Sequence, residues 1–302
     1  MRIRSFDSDE GILYLVATPI GNLEDITFRA INVLKSVDKI YAEDTRTSYV
    51  LLNHYDIKTP VFSYHEFNQD EKTRDIVNEI KAGAKLALIS DAGMPVISDP
   101  GFKIVSLARS EGLRVSTIPG PSASLSALIS SGISSAKFSF VGFLNAKETK
   151  REAELLEVKY YKDTLIFYEA PHRLKETLAS ILKVLGDRHI VILRELTKTY
   201  EEYISGSVSE VLEIDNIKGE IVIILEGFKD EEKEAVDVNS KIDELISLGY
   251  KPNEAIKDVS KMFNLDRKEV YKNYLTYKNK GEQDEWKYIW AAWLQRGARF
   301  FC

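Results

Sequence analysis

Short apolar runs alternate with amphipathic stretches over about the first 120 residues, and this alternation limits the possible folds more than any other feature. The runs ILYLVA and LALIS lack a period of two, which is typical of strands covered on both faces. The stretches between them, such as Thr27–Lys35 and Asp70–Lys81, place apolar residues at helical spacing. This order predicts an α/β domain over residues 1–119 with a largely parallel sheet. Its candidate strands are Ile12–Ala17, Val37–Tyr41, Pro60–Ser63, Lys85–Ser90 and Val115–Ile118.

The same order starts again after Pro119-Gly120-Pro121 and predicts a second α/β domain over residues 120–228. Its last two candidate strands are joined only by Ser207–Lys218, which is short for a crossover between parallel strands. We therefore expect this sheet to be antiparallel in part. The candidate strands are Phe138–Phe143, Thr164–Tyr168, His189–Arg194, Glu202–Gly206 and Glu220–Glu226, and helical stretches at Lys147–Val158 and Arg173–Leu185 separate the first three.

A charge run at Lys229–Glu234 is typical of a solvated linker between the α/β part and the C-terminal part of the chain. Beyond it, three helical patterns with short turns predict a small helix-turn-helix-like domain over residues 237–277. Pro252 suits the start of the second helix, and Asp266 is the expected N-cap of the third. The three patterns are Ser240–Leu248, Asn253–Phe263 and Asp266–Tyr277.

The last segment, residues 281–302, contains all three tryptophans of the chain at helical spacing. Three interpretations stay open: a helix packed on the body or on a second copy, an unstructured tail, and a sequence foreign to this fold. We assign this Trp-rich tail no chemistry.

Composition excludes several classes of protein. Lys and Arg number 41 against 47 Asp and Glu, a formal net charge of −6, which weakens a role as a bulk nucleic-acid coat. The single cysteine, Cys302, excludes a disulfide framework and a multi-thiolate zinc site, and the four histidines lack metal-ligand spacing. No apolar run reaches the ~20 residues of a membrane span, and charges occupy the N-terminus where a signal peptide would be apolar. We therefore expect a cytoplasmic protein with no metal and no membrane contact.

Unusual loops follow the strands of the first domain, at the sheet edge where α/β proteins bind ligands. Thr18–Thr27 follows the first strand and can offer backbone N–H groups to an anion, although Asp25 or Thr27 can equally cap the next helix. Ser90–Gly101 follows the fourth strand and has two Asp, two Pro and two Gly, more special residues than a simple turn needs. We therefore interpret this second loop as functional.

A polar group also follows the second and third candidate strands. Glu43–Thr47 can hold a polar ligand, or it can form a capping network in which Asp44 is the N-cap and Glu43 pairs with Arg46. His65 ends the third strand and can face the same cleft, although a lone histidine is more often structural.

Three further segments lie at corresponding strand ends or at the junction of the two halves. Ile118–Ser124 is a small-residue helix start that allows close approach of a planar ligand, and it is also an interdomain hinge. Tyr168–Arg173 and Arg194–Lys198 end two strands of the second domain, so they can face the loops of the first domain across a cleft.

Taken together, the motifs LYLVATPIGNLEDITFRA, YAEDTRTS, SDAGMPVISDPG, PGPSA and YEAPHR resemble the tetrapyrrole methylase superfamily. Within it they resemble the bacterial enzymes that methylate the ribose 2′-hydroxyl of a cytidine in small-subunit ribosomal RNA. The likeness covers roughly residues 11–228, and the three-helix segment fits the C-terminal region of those enzymes. It does not cover the Trp-rich tail.

The resemblance implies an α/β, two-domain tetrapyrrole methylase-like architecture with a small C-terminal helical domain, S-adenosylmethionine in the cleft between the two halves, and a homodimer. It also implies methylation in the decoding region of 16S rRNA, presented as free rRNA or as the 30S ribosomal subunit. By likeness to superfamily members, the cofactor contacts fall on Pro19, Asp91, Met94, Ile97, Ser122, Ala123, Tyr168, Leu196 and Glu220.

The chemistry of the residues agrees with such a cofactor. Asp91 can supply a carboxylate for the ammonium of S-adenosylmethionine, and helix N-termini can bind its carboxylate. Methyl transfer from a sulfonium is an in-line displacement, so catalysis is mainly positioning plus removal of the hydroxyl proton. Our candidates for the catalytic residues are Asp44 or His65 as base, with Arg46 on a phosphate or on the partner of the base.

Contacts to RNA phosphates need cations, and the helical segment carries seven basic and seven acidic residues over Asp237–Tyr277. Its third helix can contact the RNA backbone, although a solvated face is equally consistent with its sequence. The candidate cations are Arg267, Lys268 and Lys272 on that helix, and Lys147, Lys150 and Arg151 in the second domain.

Two alternatives are weighed against RNA methylation. A methylase of the same fold could act on a tetrapyrrole or on a modified protein histidine. A regulator could bind DNA through the three-helix segment while the α/β body senses a ligand, but Asp266, Glu269 and Tyr271 are poorly suited to reading base edges.

Overall fold

A computed structural model of the chain describes residues 10–229, 238–247, 249–263 and 265–278. Residues 230–234 of the predicted linker and the whole Trp-rich tail lie outside these residues. Residues through Phe228 belong to one compact unit and the later residues to a second. The two predicted α/β domains therefore lie within one compact unit, where each contributes one sheet.

Strands and helices alternate over most of the first unit, as the sequence predicts. Within the described residues the strands are β1 (Ile12–Val16), β2 (Lys39–Ala42), β3 (Val61–Ser63), β4 (Lys85–Ile89), β5 (Arg114–Ile118), β6 (Phe138–Phe143), β7 (Thr164–Glu169), β8 (His189–Arg194), β9 (Glu202–Ser207) and β10 (Ile221–Leu225). The helices are α1 (Phe28–Ser36), α2 (Thr45–His54), α3 (Gln69–Lys81), α4 (Phe102–Ser110), α5 (Ala123–Ser130), α6 (Glu148–Glu157), α7 (Leu174–Leu185), α8 (Val208–Leu212), α9 (Val238–Ser247) and α10 (Pro252–Met262), and residues 267–278 are also helical.

The first sheet has the strand order β3-β2-β4-β1-β5, and all its pairings are parallel. One face packs on α1 and α2 through residues such as Leu34 and Leu52, and the other packs on α3 and α4 through Ile80 and Ile104. Both faces are covered, and this is why the apolar runs lack a period of two. The expected parallel sheet is confirmed.

The second sheet has the order β6-β7-β10-β8-β9 and is mixed. β6 and β7 are parallel, whereas β10 runs antiparallel to both of its neighbours and β9 runs antiparallel to β8. One face packs on α6, α7 and α8 through residues such as Phe167, and the other packs on α5 through residues such as Val191. The expected antiparallel part is thus confirmed, but the short connection between β9 and β10 does not explain it. β9 and β10 both run antiparallel to β8 and are therefore parallel to each other, and the connection between them, which contains α8, crosses β8.

The helical unit contains the three expected helices. Its core is formed by apolar side chains from all of them, among them Ile242, Ile256 and Val270. Pro252 is the first residue of α10, where its missing N–H leaves no hydrogen bond unmade. The Asp266 side chain accepts hydrogen bonds from the backbone N–H groups of residues 268 and 269, so it caps the third helix as predicted.

One predicted RNA contact is wrong because its side chain is buried. Arg151 is only 3% exposed and joins α6 to α7, since its Nε donates to Ser180 Oγ at 2.9 Å. A second guanidinium nitrogen donates to the Ala146 carbonyl at 3.0 Å. The helical spacing that turns Arg151 inward leaves Lys147 and Lys150 exposed.

Across the described ranges, none of the helices combines the length and hydropathy required of a membrane span.

The buried face of β7 supplies a test of the second core. We expect Phe167→Ala to lower the free energy of unfolding by about 3–5 kcal/mol, because Phe167 is fully buried and its loss leaves a cavity. Urea unfolding followed by circular dichroism measures the change. Phe28→Ala is the control, since Phe28 is 90% exposed, and its effect should stay within about 0.5 kcal/mol. Equal losses in the two variants would contradict this assignment of the core.

Candidate active site

The loops after β1 and β4 are joined by backbone hydrogen bonds. The Thr18 N–H donates to the Gly93 carbonyl at 2.9 Å, and the Gly93 N–H donates to the Thr18 carbonyl at 3.0 Å. The Thr18 hydroxyl also donates to the Ser90 carbonyl at 3.1 Å. β1 and β4 are adjacent, and the chain leaves β1 for one side of the sheet and β4 for the other. This arrangement is a topological switch point, where open α/β sheets form a ligand crevice.

The loop after β4 has a strained backbone. Val96 and Ser98 have positive φ angles of 78° and 61°, which L residues and β-branched residues above all rarely adopt. Gly101 has a φ of 141°, and a Cβ there would lie 2.8 Å from a Val96 methyl group. Such strain is typical of segments that hold side chains in a functional geometry.

The second sheet meets these loops through its own strand ends. Ile20, after β1, packs in an apolar cluster with Leu196, after β8. Gly21 lies against Lys198, because a Cβ at this glycine would lie 2.7 Å from the lysine Cγ. At the start of α5, the Ser124 N–H donates to the Tyr168 hydroxyl at 3.1 Å. The two halves therefore face each other across a cleft.

This cleft has a volume of about 380 Å³, within the range of small-molecule sites. It is bordered by the loops after β1 and β4, the start of α5, and the ends of four strands of the second sheet, namely β6, β7, β8 and β10. Seven of the nine predicted cofactor residues line it, namely Met94, Ile97, Ser122, Ala123, Tyr168, Leu196 and Glu220. Pro19 and Asp91 do not, although the next residue after each, Ile20 and Ala92, does.

A hydrogen-bonded network holds the second-sheet side of the cleft. Glu195 Oε1 accepts from the Glu220 N–H at 3.0 Å and from Lys198 Nζ at 3.1 Å. Lys198 Nζ also donates to Glu220 Oε2 at 3.0 Å. The backbone N–H of Glu220, followed by the Lys198 ammonium, lowers the pKa of the Glu195 carboxyl below its ordinary value. The ends of β8 and β10 are thus fixed relative to each other.

Carboxyl groups crowd the neighbouring edge of the first sheet. Burial, followed by the nearby charge of Glu43, raises the pKa of Asp99 to about 6. Burial, followed by the charge of Asp91, raises the pKa of Glu43. Burial also raises the pKa of Asp91, although the hydrogen bond from the Asp44 backbone N–H opposes this rise. Among the described residues, no group of His, Cys, Asp and Glu is arranged to hold a metal ion.

The predicted catalytic residues lie beside this edge and do not line the cleft. Asp44 caps α2, and its backbone N–H donates to Asp91 Oδ1 at 3.1 Å. Arg46 donates twice to the Asp44 carboxylate, at 3.1 and 2.7 Å, so the alternative pairing of Arg46 with Glu43 is wrong. These bonds from Arg46 lower the pKa of Asp44 to about 2.

His65 follows β3 and contacts its own loop. Its Nε2 lies 3.2 Å from the Asn68 amide nitrogen, and its Nδ1 is buried without a hydrogen-bond partner. The backbone N–H of His65 donates to the Asn68 side-chain oxygen at 2.9 Å.

The Thr27 hydroxyl accepts from the Ala30 N–H at 3.1 Å, so Thr27 caps α1, which is the capping role that the sequence allowed.

Sequence reasoning missed several residues that line the cleft. They include Ile20, Asp99, Glu169, Gly219 and Val222. Asp99 lies in Ser90–Gly101, the loop whose composition predicts a function. Its place between Ser98 and Pro100 in that loop could have marked it as a candidate. Gly219 and Val222 belong to a strand start with no motif, and only the antiparallel pairing of β10 brings them to the cleft.

Comparison with known families matches this architecture. The model of the Tetrapyrrole (Corrin/Porphyrin) Methylases matches residues 12–212, which is more than half of the chain. The chain belongs to this family. The match includes every motif on which the resemblance was based and both sheets as far as α8.

Curated relatives of this tetrapyrrole methylase span nearly all of it. The ribosomal RNA small subunit methyltransferase I of Bacillus subtilis (strain 168) is 48% identical over 277 residues, which cover 88% of this chain and 95% of that protein. The protein of the same name from Halalkalibacterium halodurans is 46% identical over 275 residues, with the same coverage. That from Pasteurella multocida (strain Pm70) is 43% identical over 276 residues, covering 89% and 98%.

Solved structures share the fold. A diphthine synthase has a TM-score of 0.55 at 12% identity, covering 71% of this chain and 89% of that chain. A cobalt precorrin-4 methyltransferase has a TM-score of 0.54 at 15% identity, covering 71% and 94%. At these identities the likeness shows the architecture alone.

S-Adenosylmethionine is the cofactor of this tetrapyrrole methylase, as it is of the family. The cleft fits such a molecule in three respects. Apolar side chains such as Met94, Ile97 and Leu196 can cover an adenine ring. The N-terminus of α5 faces the cleft at Ser122 and Ala123, where helix N–H groups can bind a carboxylate. The carboxyl-rich edge of the first sheet suits an ammonium and a sulfonium.

Gly219 supplies a test of the network on the second-sheet side. Its φ is 90°, and a Cβ there would lie 2.4 Å from Glu195 Oε1. We expect Gly219→Ala to displace Glu195, to weaken S-adenosylmethionine binding, and to lower the free energy of unfolding by about 2–3 kcal/mol. Calorimetric titration and urea unfolding measure the two effects.

Gly186→Ala is the matched control. Gly186 has nearly the same φ of 89°, but a Cβ there meets nothing within 4 Å. It should lose only the ~1 kcal/mol that a positive φ imposes on alanine and should bind the cofactor normally. If the two variants behaved alike, the close approach of Glu195 would have no role.

Proposed function

We propose that this tetrapyrrole methylase transfers a methyl group from S-adenosylmethionine to small-subunit ribosomal RNA, at the ribose 2′-hydroxyl of a cytidine in the decoding region. The observation that carries the proposal is the likeness to relatives named ribosomal RNA small subunit methyltransferase I, at 43–48% identity over 88–89% of the chain. The cytidine and the 2′-hydroxyl come from the motif resemblance and are the finer part of the proposal.

The cofactor would lie in the cleft between the two sheets. Its amino-acid end would meet the start of α5 at Ser122 and Ala123, and its ammonium would lie toward Asp91 at the adjacent edge. Met94, Ile97 and Leu196 would cover the adenine. The remaining predicted contacts are Pro19, Tyr168 and Glu220. Pro19 precedes Ile20 in the strand-end loop, and the other two line the cleft from the second sheet.

The reaction places modest demands on the protein. The cofactor supplies an activated methyl group, so the chain has to align the attacking hydroxyl, exclude water and accept one proton. The loops after β1 and β4 can provide the alignment, because the two backbone hydrogen bonds between Thr18 and Gly93 fix one loop to the other.

Cations for the RNA backbone are available on both units. Arg46 is 88% exposed beside the cleft edge. Lys147 and Lys150 are exposed at the start of α6. In the helical unit, Arg267, Lys268 and Lys272 are exposed and make no ion pair with other described residues. These side chains would bind phosphates and leave recognition to the shape of the folded RNA.

The alternatives have weaker support. Methylases of small tetrapyrroles and of a modified protein histidine share the fold at 12–22% identity, far below the rRNA methyltransferase relatives. A DNA-binding regulator would need no methyl donor, whereas the chain belongs to a methylase family. A homodimer remains a prediction, which sedimentation equilibrium can measure.

Methyl transfer to RNA supplies the direct test. We expect tritium from labelled S-adenosylmethionine to enter 16S rRNA, either free or in purified 30S subunits that lack the modification. A 2′-O-methyl group removes the hydroxyl that alkaline cleavage requires. The labelled nucleotide should therefore survive alkaline hydrolysis as a dinucleotide containing cytidine.

The control is the same reaction with 23S rRNA and with uroporphyrinogen. Label in an alkali-sensitive mononucleotide would leave rRNA methylation standing and exclude the 2′-hydroxyl. Label in the tetrapyrrole alone would exclude RNA as the substrate.

Salt dependence tests the cations of the helical unit. Replacing Arg267, Lys268 and Lys272 with Gln should reduce the slope of log K against log salt for RNA binding by about 2–3, because fewer counterions are released. A triple Gln variant at Lys58, Lys81 and Lys183 is the control, since these lysines are already ion-paired. The same slope in the wild type and in the helical-unit variant would exclude phosphate contacts there.

A further inference from the structure

Three carboxyl groups line the cleft, and two of them are already committed to partners. Glu169 has a fully buried side chain. Its oxygens accept hydrogen bonds from the Ala170 N–H at 2.8 Å and from the Thr177 hydroxyl at 2.5 Å, and the Arg173 guanidinium lies 3.4 Å away. Glu169 thus ties the end of β7 to α7.

Glu220 is committed in a different way. Its carboxylate accepts from Lys198 Nζ at 3.0 Å, its side chain is 74% exposed, and its backbone N–H is bound by Glu195. Glu220 therefore pairs with Lys198 at this side of the cleft. This leaves the third carboxyl group of the cleft, Asp99.

Asp99 differs from both. No Lys, Arg or His within the described ranges pairs with it, and its nearest charged neighbours are the carboxyl groups of Glu43, after β2, and Asp91, after β4. It is half-buried. The preceding residue, Ser98, has a φ of 61°, so the backbone is held in an uncommon conformation where it delivers this side chain.

We propose that Asp99 is the general base, which accepts the proton of the RNA hydroxyl during methyl transfer. This inference rests on the proposed function. The hydroxyl oxygen forms a bond to the methyl carbon while the bond from that carbon to sulfur breaks. The electron pair of the broken bond goes to sulfur, which leaves as the neutral thioether of S-adenosylhomocysteine. The hydroxyl proton goes to the Asp99 carboxylate, so charge and atoms balance.

The geometry favours Asp99 over the two bases suggested by the sequence. The Asp44 carboxylate is held by two hydrogen bonds from Arg46, and its pKa of about 2 makes it a poor proton acceptor. His65 contacts Asn68 and, like Asp44, does not line the cleft. Asp99 lines it, and the burial and the charge of Glu43 that raise its pKa to about 6 bring it close to the pH at which a base is most effective.

Ionisation of Asp99 sets the sign of the pH dependence. Above its pKa, Asp99 is ionised and can accept a proton, whereas below it the carboxyl is protonated and inactive. Glu43 and Asp91 raise this pKa, and the positive charge of a bound cofactor lowers it. The rate should therefore fall as the pH drops through about 6 or somewhat below, and should be flat between about pH 7 and 8.

The test compares Asp99→Asn with the wild type and with Asp75→Asn, which removes an exposed carboxyl group on α3. Single-turnover methyl transfer is measured from pH 5 to 9, and the affinity for S-adenosylmethionine is measured by calorimetry. We expect Asp99→Asn to slow the chemical step by about 10²–10⁴-fold, to lose the acidic limb of the profile, and to bind the cofactor within about threefold of the wild type. Asp99→Glu should recover part of the rate, and Asp75→Asn should match the wild type.

Three outcomes overturn the inference. A rate for Asp99→Asn within about threefold of the wild type would remove Asp99 from the proton transfer. An unchanged acidic limb in a slow variant would assign that limb to another group. A large loss of cofactor affinity that accounts for the slower reaction would make Asp99 a ligand of the cofactor. If the wild type itself methylates no RNA, the proposed function fails, and this outcome is distinct from the other three.

Discussion

The pair of backbone hydrogen bonds between Thr18 and Gly93 is the constraint on which the cleft depends. It joins the loops after the two central strands of a parallel sheet, at the point where the chain turns to opposite sides. Without it, each loop would be a separate flexible connection. With it, Ile20 is presented to the second sheet, and Met94 and residues 97–99 line the cleft. Backbone groups make these two bonds, so the neighbouring side chains are free to serve a ligand.

Strain is concentrated on the two sides of the same cleft. Of the six described non-glycine residues with positive φ, four lie in the loops after β4 and β8, namely Val96, Ser98, Glu195 and Thr197. Each such residue costs of order 1–3 kcal/mol, which the packed sheets and the hydrogen-bonded network must offset. Glu195 shows how, because its carboxylate accepts from the Glu220 backbone and from Lys198. The strained loop after β8 is thus held by a hydrogen bond from the residue that precedes β10.

Sequence patterns predicted the sheets, the helices and most of the cleft, because buried strands and glycine-rich loops have local signatures. Met94 and Ser122 lie in such loops, and both line the cleft. Residues whose position depends on strand pairing or on contacts with distant elements have no local sequence signature. Val222 reaches the cleft only because β10 inserts between β7 and β8, and Arg151 is buried because its hydrogen-bond partners come from α7 and a preceding turn. Asp99 could not be selected from the sequence, because only the fold shows which of the acidic residues has no cation paired with it.

The charge of the cleft edge connects these features to methyl transfer. Glu43, Asp91 and Asp99 are held near one another, and burial opposes the ionisation of all three. Mutual repulsion of these crowded carboxylates is unfavourable in the free protein, and a sulfonium bound beside them would relieve it. The reaction then removes the positive charge at sulfur and delivers a proton to the same edge. One cation is thus exchanged for another at nearly constant local charge, so the crowding of Glu43, Asp91 and Asp99 favours the transfer from the side that receives the proton.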